Sequence, residues 1–187
     1  TVDSAYVSNM INIYTFLGNI YLNKKKDVHS ARACMESILE LAKKTSFEEE
    51  LMGGIDILTF SIRLAHYEGK MEERDCLIRQ FADRAVFSAI RSNMIEDVCD
   101  LADFYMEIGK IEDCHKVLRL LEEMLQEINL LEIRKRFLES QIRFYSVTED
   151  EENRNAAAYR FYELLKEQER EKISAVLFAL AIRKDLE

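Results

Sequence analysis

Gly69-Lys70-Met71-Glu72-Glu73 returns as Gly109-Lys110-Ile111-Glu112-Asp113, 40 residues further on. The residues that precede these turns return with the same step. Tyr105 and Tyr145 are 40 apart, Ala65 holds the place one period earlier, and Tyr21 lies a slightly longer step before it. The residues after the turns also repeat. Ala31, Met35 and Ile38 have the spacing of Cys114, Leu118 and Leu121, and of Ala157, Phe161 and Leu164. On both sides of the turns the apolar period is helical. Ile13, Phe16, Leu17, Ile20 and Tyr21 follow the i, i+3, i+4, i+7, i+8 rule, as do Val98, Leu101, Ala102, Tyr105 and Met106. A fixed period of this length marks a stack of like units. The expectation is four helix-turn-helix units and one extra helix at the end.

Composition agrees with helices. Of 187 residues none is proline and only 5 are glycine, whereas average usage would give about nine prolines. Sandwiches and barrels need Gly/Pro-rich turns, and a doubly wound nucleotide fold needs a Gly-rich phosphate loop. A hydrophobic share of 48% provides a core, and 33% charged residues provide a solvated surface. The predicted class is all-α. Nine helices are expected, near 3–24, 28–44, 47–68, 71–91, 94–108, 111–128, 130–147, 151–169 and 171–187. Capping-box spacing recurs at Ser46 with Glu49, Asn93 with Glu96, Asn129 with Glu132, and Thr148 with Glu151. Short connections make neighbours antiparallel hairpins, which stack into a superhelix. Residues 1–170 form the repeats, and 171–187 a capping or connector helix.

A net charge of −9 repels phosphate backbones and anionic membrane surfaces, so neither nucleic acid nor membrane is an expected partner. No apolar run reaches the roughly 20 residues of a membrane span, and no signal peptide opens the chain. Cys34, Cys76, Cys99 and Cys114 form no C-x-x-C pair, which suits a reducing cytoplasm. Thr1 is not a methionine, and Ala179–Glu187 lie in mid-pattern, so the sequence reads as a piece of a longer protein.

Catalytic constellations are hard to find. H-E-x-x-H, G-x-S-x-G, the P-loop and G-x-G-x-x-G are all missing. Cys114 and His115 are adjacent, but adjacent helical residues point about 100° apart and share a ligand poorly. Cys114 is expected in the core and His115 on the surface. Glu112 with His115 has E-x-x-H spacing without the second copy that a di-iron bundle needs. The acidic runs Glu48–Glu50, Glu122-Glu123 and Glu149–Glu152 sit at helix starts or on polar faces. Most of the ten Phe and eight Tyr are expected in the core. No cofactor or metal is implied.

The pattern resembles the tetratricopeptide repeat. The first unit carries Tyr14, Leu17, Gly18 and Tyr21, then Ala31 on its second helix; the third carries Val98, Leu101, Ala102, Tyr105 and Gly109. Arg74 stands in the second unit where the family has a small residue. The resemblance implies that the first helices line a concave groove, with Tyr14, Leu17, Gly18 and Tyr21 turned to the core. The groove face would then hold Asn12, Phe16 and Asn19, with Asn23 at the edge. Next come Asp56, Thr59, Phe60 and Arg63, then Glu96, Asp100 and Asp103, then Arg136, Ser140 and Arg143. Arg63, Asp103 and Arg143 form one row 40 apart, and Asp56, Glu96 and Arg136 a second. Two readings stand side by side. One is a ladder of ion pairs between repeats, each worth about 0–1 kcal/mol. The other is a polar groove for a peptide, whose backbone asparagines bond through donor and acceptor.

The last helix carries Ile173, Val176, Leu177, Leu180 and Ala181, widened by Phe178 and Ile182. It either caps the stack or continues into a second domain or a homodimer. Long, degenerate repeats with an open final helix resemble the N-terminal regulatory domains of bacterial signalling proteins, diguanylate cyclases among them. The expected function is a non-catalytic domain that binds a protein or peptide and relays the event through its last helix. The alternatives are the peptide-pheromone-binding domain of a transcription regulator, a stand-alone adaptor, and a helical-bundle enzyme.

Overall fold

The structure, a computed structural model, describes residues 4–85, 94–127 and 130–185, with side chains followed as far as Leu177. Among the described residues it is all-α. The helices are α1 (Ser4–Ile20), α2 (Val28–Ala42), α3 (Glu48–Met52), α4 (Ile55–Tyr67), α5 (Met71–Arg84), α6 (Ile95–Glu107), α7 (Ile111–Met124), α8 (Leu131–Val147) and α9 (Glu151–Asp185). The chain divides into two compact units, Thr1–Leu101 and Ala102–Glu187. The predicted caps at Asn93 and Asn129 and the stripe residues Phe178, Leu180, Ala181 and Ile182 lie outside what is described.

Three predicted boundaries change most. The helix expected over 71–91 ends at Arg84, where Ala85 leaves the helix at ψ 77. The helix expected over 47–68 is cut into α3 and α4, because Gly53 and Gly54 are poor helix formers and Gly54 is extended at φ −62, ψ 144. The division expected near 170 does not exist: α9 is one helix of 35 residues, since Glu167–Lys172 is polar but holds no breaker.

The turns are the repeating part. Gly69 and Gly109 take left-handed φ of 76 and 75, which a side chain disfavours. The Lys70 amide then donates to the Ala65 carbonyl (2.9 Å) and the Lys110 amide to Tyr105 (2.8 Å). After α8 the left-handed place is filled by Glu149 (φ 58), and the Asp150 amide donates to Tyr145 (2.9 Å). These bonds close the last helical carbonyls in the manner of a Schellman motif. The acceptors are Ala65, Tyr105 and Tyr145, the residues spaced by 40. The first turn closes on Tyr21 from Asp27 (3.0 Å), and the chain takes up the longer step in a π-helical turn over Tyr21–Lys25. The turn is left-handed at Lys26 (φ 52).

Two helix starts are capped by aspartate, and the predicted cap Ser46 gives way to Phe47, which makes no side-chain cap. Asp27 accepts from the Ser30 amide (3.0 Å) and Asp150 from the Asn153 amide (3.1 Å). Thr148 instead donates to the Phe144 carbonyl at the end of α8 (3.0 Å).

In the first unit α1 packs on α2 and α4 on α5. Its core gathers Val7, Ile11, Leu22, Ala31, Cys34, Met35, Ile38, Ile57, Phe60 and Leu64, with Tyr14 and Tyr21 against it. Gly18 brings α1 and α4 together: a Cβ there would collide with the Phe60 ring. In the second unit α8 packs on α9, and Tyr105, Cys114, Leu118, Leu121, Phe137, Phe144 and Ala157 are buried. The small second-helix positions Ala31, Cys114 and Ala157 are all fully buried. Arg74, in the corresponding place, is half-buried, and its guanidinium bonds Asp75 (2.8 Å) and His66 Nδ1 (3.1 Å).

Candidate functional site

Several of the residues expected on a groove face of the first unit are tied together inside it. Arg63, on α4, is 2% exposed and has three sets of acceptors around it. Its Nη2 donates to Asn19 Oδ1 (2.7 Å), its Nη1 to Asn23 Oδ1 (2.8 Å), and its Nε to the Thr59 carbonyl (3.3 Å). Each carboxamide then passes a bond on. Asn19 Nδ2 donates to Asp97 Oδ1 (3.2 Å) and Asn23 Nδ2 to Asp100 Oδ2 (3.1 Å). Asp100 also stands 4.0 Å from the guanidinium. Asn19 lies near the end of α1 and Asn23, four residues on, in the π-helical turn that follows it. Asp97 and Asp100 sit three apart on α6. One buried cation therefore orients two amides, and the amides orient two carboxylates.

Burial lowers the Arg63 guanidinium from its ordinary value, while Asp100 and Asp97 pull the other way. Burial pushes the Asp97 carboxyl up to about 6; Arg63 opposes this, and Asp100, Asp56 and Glu96 add to it. The network leaves no room for a peptide backbone at Asn19, which is buried. Its chemistry is that of a lock between α1, α4 and α6.

The predicted groove residues thus separate. Asn19, Arg63, Thr59 and Phe60 lie inside rather than on a groove face, because α1 approaches α4 over Gly18 and covers them. Leu17, expected toward the core, is 36% exposed, and Phe16 is 66% exposed. Asn12 is exposed and Asp56 half-buried, and both line a cavity of about 630 Å³. Glu50, Asp83 and Arg84 share its wall. Glu96 is exposed.

In the second unit Asp103 Oδ2 accepts from Arg143 Nη1 (2.6 Å) and Arg136 Nη2 (2.8 Å), and Arg136 Nη1 donates to Ser140 (2.9 Å). The Asp103–Arg143 rung of the predicted row is therefore formed. Arg136 joins that rung, and Ser140 beneath it is fully buried. Asp103 Oδ1 and the Tyr105 hydroxyl are buried without a partner.

The weighed metal and nucleophile candidates are dispersed. Burial pushes the Cys114 thiol up to about 12, and Asp103 adds to the shift. His115 is exposed and stacks on Phe144, with ring centres 5.4 Å apart. Among the described residues no group of three His, Cys, Asp or Glu side chains could hold a metal ion. Nor is any described helix long and apolar enough to cross a membrane.

The aromatic expectation fails at two helices. Tyr6, Ile13, Phe16 and Leu17 stand exposed on α1, and Tyr159, Tyr162, Leu165, Ile173, Val176 and Leu177 on α9. Among the described residues three other large apolar side chains, Met71, Leu130 and Val147, are exposed singly. No protein-family model matches the chain, and neither the curated proteins nor the solved structures include a significant match to it.

Proposed function

We propose that this chain is a non-catalytic interaction and sensor domain. It takes a protein or peptide partner on the outer face of α1 and passes the event on through α9. The observation that carries this reading is where the exposed apolar surface lies: large apolar side chains cluster on α1 and α9 and stand singly elsewhere. Contiguous apolar patches on a soluble surface mark interaction sites. On α1 the patch joins chemistry that fits a peptide. Asn12 lies one turn from Phe16, and beside it opens the cavity walled by Glu50, Asp56, Asp83 and Arg84. Three carboxylates against one guanidinium favour a partner that is apolar with a basic flank. The helical-hairpin pattern and its tetratricopeptide resemblance support the same reading, since that family binds peptides. The long, degenerate helical repeats fit a regulatory domain of a bacterial signalling protein.

The test is selection from a displayed library of random peptides against the chain. Enriched peptides should carry a basic residue beside apolar ones. Their affinity should fall at least about tenfold with Phe16→Ser and Ile13→Ser together. Arg143→Ala should leave it unchanged. Binding that survives the α1 double variant, or failure to enrich any peptide, would overturn the assignment.

A further inference from the structure

The outward face of α9 has a pattern that its own chain does not complete. Ala157 is buried, and Phe161 and Leu164 are half-buried toward the bundle. On the opposite side, at heptad spacing, lie Tyr159 (65% exposed), Tyr162 (54%), Lys166, Glu169, Ile173 (54%) and Val176 (58%). The order along the helix is two apolar positions, a cation, an anion, and two apolar positions. α9 is a single unbroken helix, so it cannot fold back on itself to cover this face. From Tyr159 to Val176 the stripe runs about 26 Å at 1.5 Å per residue.

We infer that this face pairs with the same face of a second copy, antiparallel, around a two-fold axis passing between Glu167 and Gln168. In an antiparallel coiled coil, a positions meet d positions of the partner helix. Placing the axis there sets Tyr159 against the second copy's Val176, Tyr162 against its Ile173, and Lys166 against its Glu169. The symmetry makes each contact twice, as an isologous interface requires. The flanking positions agree: Glu163 faces Arg170 of the second helix. In isolation Lys166 already turns to a carboxylate, Glu163, at 3.1 Å, so the exchange gives each of these charges a new opposite partner.

Charge selects this arrangement over the parallel one. A parallel, in-register pair would set Lys166 against Lys166 and Glu169 against Glu169, and like charges across an interface are costly. The antiparallel register pairs Lys166 with Glu169 and each of the four apolar stripe residues with an apolar one. This deepens the interaction reading by naming what covers one of its two faces, and it rests on that reading of α9.

Sedimentation equilibrium on the whole 187-residue chain tests it, with far-UV circular dichroism to confirm that each variant stays helical. The wild type should sediment as a dimer of the 22.0 kDa chain. Lys166→Glu alone sets Glu against Glu, and Glu169→Lys alone sets Lys against Lys. Each should weaken self-association at least about tenfold. Mixing the two single variants restores opposite pairs and should give a heterodimer. The double variant K166E/E169K should again form a homodimer. A wild type that stays monomeric, single variants that dimerise as well as the wild type, or a double variant that does not recover would overturn the pairing. Peptide capture through Phe16 is measured on the same variants. Its survival in a monomeric wild type would show that the α9 pairing alone had failed.

Discussion

Arg63 and Arg143 hold the same place in the repeat, two periods apart, yet one is a buried lock and the other a surface clasp. Arg63 is 2% exposed and binds two asparagines, while the side chain of Arg143 is 61% exposed and reaches Asp103 alone. The difference lies in what faces them. α1 and the π-helical turn after it offer Asn19 and Asn23, whose carboxamides accept from the guanidinium and donate to Asp97 and Asp100. Among the described residues no comparable pair of amides bonds Arg143. A repeat position thus fixes where a side chain points, and the neighbouring helix decides how much energy rests on it.

The sharpest way to break this comparison is to truncate both arginines. Arg63→Ala strands two amides and two carboxylates that share a buried network and should cost about 3–5 kcal/mol. Arg143→Ala removes an exposed pair worth about 0–1 kcal/mol. Urea unfolding of the two variants reads the difference directly. Equal losses would show that Arg63 is not the centre of its network.

The next test is pH. Asp97 titrates at about 6 in the folded chain against an ordinary 3.8, so the folded state holds its proton more tightly than the unfolded one. Stability from this group is therefore greatest below about pH 4 and declines as pH rises to about 6. The loss is about 2–3 kcal/mol. Asp97→Asn keeps the acceptor for Asn19 but cannot ionise. The difference in unfolding free energy between wild type and Asp97→Asn should fall across that window and level off above it.

How much of this could be read from the sequence follows from how local each feature is. The turns were legible because Gly69 and Gly109 need a left-handed backbone, and their spacing alone showed the period. The extra length before Ala65 was visible, but its form, a π-helical turn after Tyr21, depends on local hydrogen bonding that residue type does not dictate. Gly53-Gly54 carried a breaker signal that the apolar period on either side outweighed. The continuity of α9 was masked by a polar run that only looks like a boundary. Arg63 was legible as a row member and not as a buried one. Its partners come from positions 19, 23, 97 and 100, and no local pattern joins them. The exposed stripes on α1 and α9 followed a helical period that reads as core, because period reveals amphipathicity and not which apolar face remains uncovered.

The smallest effect separates the first turn from the fourth. Lys26 and Glu149 both hold a left-handed place that Gly69 and Gly109 fill without strain. Replacing either by glycine relieves roughly 1 kcal/mol of backbone strain, partly offset by the greater freedom of an unfolded glycine. Glu149 is exposed and gives up little, so Glu149→Gly should raise the melting temperature by about 2–4 °C at most. Lys26 has more to lose: its ammonium donates to the Tyr67 hydroxyl (3.1 Å) and lies 5.1 Å from that ring's centre. A cation over an exposed ring contributes about 0.5–1 kcal/mol, which cancels most of the gain. Lys26→Gly should leave the melting temperature nearly unchanged, and a rise equal to that of Glu149→Gly would show that the Tyr67 contact contributes nothing to the first turn.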